Sequence, residues 1–247
     1  MGSSRLTRAV LASATMWFAV APAGAIVGPS RGGEDVASHV LMVLQRRGTS
    51  AGFCTGVVIG SKAVLTAAHC VPPGTDLRIH FRDEKGAPVL LPVAGVARHP
   101  GYHADAIARR QRSIDLAVVT LMNPLPAGFR AAEIGEPGPV APGTPFRVAG
   151  FGLTREGEAA SSGQLREAAL VARMPLSQVL LWADDPQGQG AGACTGDSGG
   201  PVLAGSADTI VALTLWSAGV GGRRCGTLTQ ALWLAPYRDW IRAAATK

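Results

Sequence analysis

Ala193-Cys194-Thr195-Gly196-Asp197-Ser198-Gly199-Gly200-Pro201-Val202 sets a serine between an acid and two glycines, just after a cysteine and just before an apolar run. Glycine permits backbone conformations closed to other residues and lets a ligand approach the main chain. A tight turn through Gly196, Asp197 and Ser198 can therefore aim two N–H groups at one point, where an oxyanion would develop. A serine hydroxyl is a weak nucleophile until a base takes its proton. Without such a base the stretch is an ordinary Gly-rich turn, so the rest of the chain has to supply one.

Upstream, Val64-Leu65-Thr66-Ala67-Ala68-His69-Cys70 ends an apolar run on a histidine beside a second cysteine. Between the two lies Ser113-Ile114-Asp115-Leu116-Ala117-Val118-Val119, an acid embedded in an apolar strand. A buried carboxylate is costly unless paired or hydrogen-bonded, so Asp115 needs a partner. One nitrogen of His69 supplies it, and the other is free to accept the proton of Ser198. Acid, base and nucleophile then form a chain.

These three blocks resemble the signatures of the chymotrypsin/trypsin-like serine proteases: LTAAHC, the Asp-Leu-Ala strand and CTGDSGGPV, in the order His, Asp, Ser. Other serine hydrolases run their catalytic residues in different orders. The resemblance implies an all-β fold of two packed six-stranded antiparallel barrels and a C-terminal helix. It divides the chain into a signal peptide (1–25), an N-terminal barrel with His69 and Asp115 (26–134), and a C-terminal barrel with Ser198 and the terminal helix (135–247). Strands are expected at Val40 to Gln45, Phe53 to Gly60, Leu77 to Phe81 and Phe146 to Gly152, and a helix within Ala235 to Ala245. The resemblance also implies the disulfides Cys54–Cys70 and Cys194–Cys225. It implies an oxyanion hole from the N–H groups of Gly196 and Ser198, and an ion pair between the amine of Ile26 and Asp197. His99, in Val96 to Tyr102, is read as structural or as a wall of the cleft.

Composition agrees. Forty-seven per cent apolar residues over 247 positions suffice for a sizeable core, and 32 Gly with 17 Pro suit a turn-rich β protein. The formal charge of +6 falls to +4 without Arg5 and Arg8, too mild a balance to imply nucleic acid. Met1 to Ala25 reads as a secretory leader: a basic start, an apolar core from Ala9 to Val20, and small residues at Ala23-Gly24-Ala25. A cut after Ala25 would expose Ile26-Val27-Gly28. The protein is therefore expected in the periplasm or outside the cell, off the membrane once the leader is removed, as a monomer. The alanine-rich leader and the small cysteine count suggest a bacterial type. No cofactor or metal is expected, since the four cysteines contain no C-x-x-C pair.

The expected activity is hydrolysis of protein or peptide substrates through an acyl-enzyme, subject to a protein inhibitor. In trypsin-like relatives an acid two residues before the third cysteine binds Lys or Arg. Here that position is Gly192, followed by Ala193, so cleavage after Lys or Arg is not expected. Trp216, Ser217 and Thr229 are placed on the pocket walls, narrowing it toward small or medium apolar side chains; Arg223 and Arg224 offer an acidic preference instead. Departures from the family lie at Phe146 and Ala204, which replace one bridge, and at Leu215, where relatives carry a serine that supports the catalytic acid. Thr214 supplies that hydroxyl if the register shifts by one. The alternative reading is a catalytically inactive homologue that binds a partner through the cleft.

Overall fold

The structure, a computed structural model, describes residues 26–109, 111–205 and 208–246. The proposed leader lies outside the described residues. The chain opens with β1 (Arg31–Gly32) and then winds β2 (Val40–Arg47), β3 (Ser50–Gly60), β4 (Ala63–Thr66), β5 (Asp76–Arg82), β6 (Pro88–Arg98) and β7 (Ala117–Leu121). Strands β2 to β7 close on themselves in the order β2-β3-β4-β7-β6-β5. A single helical turn, α1 (Ala106–Arg109), interrupts the β6–β7 connection. The second half adds β8 (Glu133–Ile134), β9 (Pro145–Gly150), β10 (Arg166–Ala172), β11 (Leu180–Asp184), β12 (Pro201–Leu203), β13 (Thr209–Ala218) and β14 (Leu228–Trp233). The helix α2 (Arg238–Ala245) follows. Six of these strands close a second barrel, β9-β10-β11-β14-β13-β12 and back to β9, with β1 on the outer edge of β10 and β8 parallel to β13. Two six-stranded barrels and one short C-terminal helix are thus present. Among the described residues no helix is long and apolar enough to cross a membrane.

Side chains alternate between the two faces of a strand, and here both faces of several strands are buried. On β7, Val119 and Leu121 fill the first barrel while Val118 points to the seam between barrels. Val64 and Leu65 divide in the same way on β4. On β14, Ala231 and Trp233 enter the second barrel, and Leu232, followed by Leu234, enters the seam. This is why the runs around His69 and Asp115 are almost uniformly apolar instead of alternating. Val40, Leu116, Leu203 and Leu213 complete the seam core, and Tyr237 and Ile241 bring the C-terminal helix onto it.

The ends of the chain are exchanged. Ile26 is buried in the second barrel's core, Val27 exchanges two hydrogen bonds with Gly192 (3.2 and 3.1 Å), and Arg31 pairs with Glu167 across β1 and β10. α2 packs instead on β4 and β7 of the first barrel. His99 anchors that end through edge contacts with Trp240 (4.9 Å) and Tyr237 (5.3 Å), while its Nδ1 accepts the Gly101 N–H at 3.0 Å. Burial pushes its pKa down. Its role here is structural.

Candidate active site

β4 ends at Thr66, and a 3-10 turn over Ala68–Cys70 lifts His69 out of the buried run to the mouth of the seam. Asp115 sits two residues before β7 begins, so the acid lies in the extended segment leading into the strand and not within it as the sequence suggests. The strand ladder starts only where Ala117 pairs with Thr66 and Arg98. Leaving Asp115 off that ladder frees its carboxylate for the histidine. Oδ1 accepts the backbone N–H of His69 at 2.9 Å, and Oδ2 lies 2.6 Å from Nδ1. A carboxylate can only accept, so Nδ1 carries the proton and Nε2 is left as the basic nitrogen. This double attachment orients the ring.

Ser198 arrives from the other barrel, in the turn before β12. Gly196 has φ +100° and Gly199 φ +81°, both in the left-handed region that glycine tolerates. Neither position has room for a side chain. A Cβ on Gly196 would fall 2.3 Å from the Phe53 ring, and one on Gly199 would fall 2.2 Å from both Thr55 O and Thr66 Oγ1. The motif glycines are therefore the points where barrel two presses against barrel one. Among the described residues, the N–H groups of Gly196 and Ser198 meet no acceptor within hydrogen-bonding distance, while those of Asp197, Gly199 and Gly200 are all bonded.

Ser198 and His69 come together at one sulfur without bonding to each other. Cys70 Sγ lies 3.6 Å from His69 Nε2 and 3.8 Å from Ser198 O, so both residues flank one sulfur. The Ser198 hydroxyl donates to Leu215 O at 3.1 Å and not to Nε2. The disulfides Cys54–Cys70 and Cys194–Cys225 brace the histidine turn and the serine loop. The sulfurs of Cys54 and Cys70 approach the His69 ring in a cluster of metal-ligating type. Joined to each other, they offer a metal no thiolate.

Asp197, beside Ser198, is fully buried. Burial pushes its carboxyl up to about 7, against N–H donors from Cys194 and Gly152 at 2.8 Å each, which pull it down. Among the described residues no cation reaches it. Thr214 does not serve Asp115: a bulge between Thr214 and Trp216 leaves its hydroxyl buried without a partner.

Gly192 and Ala193 lie side by side with Thr229. Ala193 N donates to Thr229 Oγ1 at 3.0 Å, and the space beyond Gly192 is closed by Gly226 and that same hydroxyl, each 3.3 Å from where a Cβ would sit. Trp216 is half exposed, and Ser217 donates to Arg224 O. Arg224 is itself committed to Glu156, whose carboxyl its backbone N–H, and then its guanidinium, hold below the usual range. An acidic preference through Arg224 thus finds no free charge there. Phe146 is buried in the second barrel's apolar cluster and Ala204 packs against it. A depression of about 950 Å³ between the Val27–Gly28, Asp184–Asp185 and Gly221–Arg223 segments is lined by none of His69, Asp115 or Ser198.

Residues 31–241 match the sequence profile of the trypsin family. The chain belongs to the trypsin family. It is 29% identical to trypsin 5G1 of Aedes aegypti over 246 residues, covering 92% of this chain and 87% of that one. It is 29% identical to granzyme M of Homo sapiens over 239 residues, covering 85% and 87%. Among solved structures, neuropsin, a serine protease of mouse brain, superposes with a TM-score of 0.67 at 21% identity, covering 87% of this chain and 97% of that one. Human heparin binding protein superposes at 0.68 with 19% identity, covering 88% and 96%. These relatives are insect, mouse and human proteins, so the bacterial type suggested by the leader is not borne out.

Within this trypsin-family chain, Thr55 escapes the sequence reading. It follows Cys54 in what reads as an ordinary strand, yet it is fully buried against the Ser198 loop. Leu215 enters through its backbone oxygen, which no side-chain argument could have singled out.

Proposed function

We propose that this chain is an exported serine endopeptidase acting through Ser198, His69 and Asp115. The observation that carries the reading is the doubly bonded His69–Asp115 pair, at 2.6 and 2.9 Å, facing a serine whose loop holds two N–H groups with no partner among the described residues. The Ser198 hydroxyl bonds Leu215 O in this structure, and catalytic hydrogen bonds are often unmade before substrate binds. Ser198 Oγ then attacks the scissile carbonyl carbon as Nε2 takes its proton. The N–H groups of Gly196 and Ser198 receive the oxyanion. The imidazolium, steadied by Asp115, returns the proton to the leaving amine, and water repeats the cycle on the acyl-enzyme. The closed base at Gly192, Gly226 and Thr229 suits small apolar side chains and offers no counter-charge to Lys or Arg.

Maturation is proposed at the bond before Ile26. Ile26 has φ +67° and a fully buried side chain. For a β-branched residue the left-handed region costs roughly 1–2 kcal/mol, and cutting the preceding peptide bond removes that restraint. The freed ammonium is the cation proposed for Asp197.

The test is the mass of the purified protein after a fluorophosphonate probe, beside Ser198→Ala. A single adduct on a chain beginning at Ile26, absent in Ser198→Ala, supports the reading. A second reading, an inert homologue that binds a partner through the cleft, rests on the Ser198–Leu215 bond, which turns the hydroxyl away from its base. A folded chain beginning at Ile26 that takes no adduct favours that one.

A further inference from the structure

The polar atoms of Thr55 are all committed, and all but one of its bonds hold the loop that carries Ser198 or the strand end beside it. Its N–H donates to Ser198 O at 2.9 Å. Its hydroxyl donates to Gly196 O at 2.8 Å and accepts the N–H of Phe151 at 3.1 Å. Its own carbonyl accepts the Thr66 hydroxyl at 2.8 Å, tying the residue to the end of the strand that leads to His69. A threonine hydroxyl has one proton. With Phe151 donating to it, that proton has one direction left, toward Gly196 O.

The two carbonyls held by Thr55 belong to Gly196 and Ser198, whose own N–H groups are unpaired among the described residues. Gly196 is the residue least able to hold its own conformation: with no Cβ it turns freely about φ and ψ, and it sits at φ +100°. Its N–H lies in the 195–196 peptide plane, whose Thr195 carbonyl accepts the Leu153 N–H at 2.9 Å, and its carbonyl lies in the 196–197 plane, which Thr55 holds. With both planes held, the rotation of Gly196 that aims its N–H is set. Phe53, two residues earlier on the same face of β3, fills the space where a Gly196 side chain would lie. The first barrel thus reaches across the seam with a ring that seats the glycine and a hydroxyl that sets its rotation.

We infer that Thr55 is a positioning residue for the oxyanion-binding loop, its hydroxyl orienting Gly196 from the opposite barrel. The inference rests on the reading of Ser198 as nucleophile. Removing an oxyanion donor outright costs about 10²–10³ in kcat. Thr55 only aims such a donor, so Thr55→Val is expected to lower kcat by about 10- to 100-fold, with KM within about threefold. Thr55→Ser, which keeps the hydroxyl, should return to within about threefold of wild type. Fluorophosphonate labelling rates should follow the same order.

The experiment compares wild type, Thr55→Val, Thr55→Ala and Thr55→Ser as full mature chains on one peptide amide substrate. Unfolding midpoints are recorded for each, and Thr55→Ala replaces Thr55→Val should the latter not fold. Wild-type kcat in the hydroxyl-free variant would overturn the inference. So would equal loss in the serine and hydroxyl-free variants, which would make the effect one of packing. If wild type itself neither turns over nor labels, the peptidase reading fails instead. Hydrogen exchange across residues 194–200 then decides on Thr55 alone: faster exchange in Thr55→Val than in Thr55→Ser supports it, and equal exchange overturns it.

Discussion

Raising the pH from 4 to 7 should destabilise the uncut chain through one residue, Asp197. In the folded protein its carboxyl is fully buried and titrates at about 7, against 3.8 for an ordinary aspartate. Two N–H bonds at 2.8 Å oppose that rise without cancelling it. Between these values the folded chain holds a proton that the unfolded chain has released. The stabilisation is therefore fully present below about pH 4 and is lost as the pH rises through about 7. Three units at about 1.36 kcal/mol each amount to ~4 kcal/mol. Asp197→Asn isolates this group, because an amide is neutral throughout. The assay is urea unfolding, followed by tryptophan fluorescence, of chains beginning at Gly24 and carrying Ser198→Ala, so that Ile26 has no free amine and self-digestion is blocked. Relative to Asp197→Asn, the chain with Asp197 should lose ~4 kcal/mol between about pH 4 and pH 7.5. In chains beginning at Ile26 the ammonium should favour the charged carboxylate and flatten or reverse the trend. Parallel pH profiles for the uncut chain with Asp197 and its Asp197→Asn variant, agreeing within about 1 kcal/mol, would refute the reasoning.

Other outcomes are open to simpler tests. Gly199→Ala places a methyl 2.2 Å from Thr55 O and Thr66 Oγ1 in a left-handed position, and should cost roughly 2–5 kcal/mol in denaturant unfolding; a change under about 1 kcal/mol contradicts the seam packing. Replacing Cys54 and Cys70 together by serine opens a link across sixteen residues, worth ~3 kcal/mol, and should lower kcat as the His69 turn loosens; unchanged kcat would show that the turn needs no brace. Gly192→Asp puts a carboxylate where the pocket now ends against Gly226 and Thr229. It should raise kcat/KM for substrates with Lys or Arg before the cut, by about tenfold or more; no gain would mean that Gly192 does not face the substrate.

The site is legible where contiguous residues carry it and obscure where the third dimension does. The runs ending at His69 and starting at Ala117 declare themselves because both faces of those strands are buried, and the GDSGG glycines because each marks a contact too close for a side chain. Asp115 reads as part of a strand because Ile114 and Leu116 are buried on either side of it. Periodicity sees burial and not the hydrogen-bond ladder, which begins at Ala117. Thr214 is a reasonable candidate to support the acid, but a bulge is a property of two paired strands and is invisible in one. Thr55 and Leu215 act on residues 141 and 17 positions away, and nothing local distinguishes them from their neighbours.

The exchanged ends make the two barrels mutual hostages. The segment from Ile26 to Gly32 packs into and along the second barrel although it leads into the first, and α2 covers the first although it leaves the second. A half cut out at the connecting stretch would therefore carry its partner's missing piece and lack its own. Unfolding should proceed as one event, with no stage at which one barrel stands while the other has come apart. A single nick near the exposed Met122 should leave two fragments still clasped. Mixed after separation, those fragments should find each other and restore the seam, which neither can build alone.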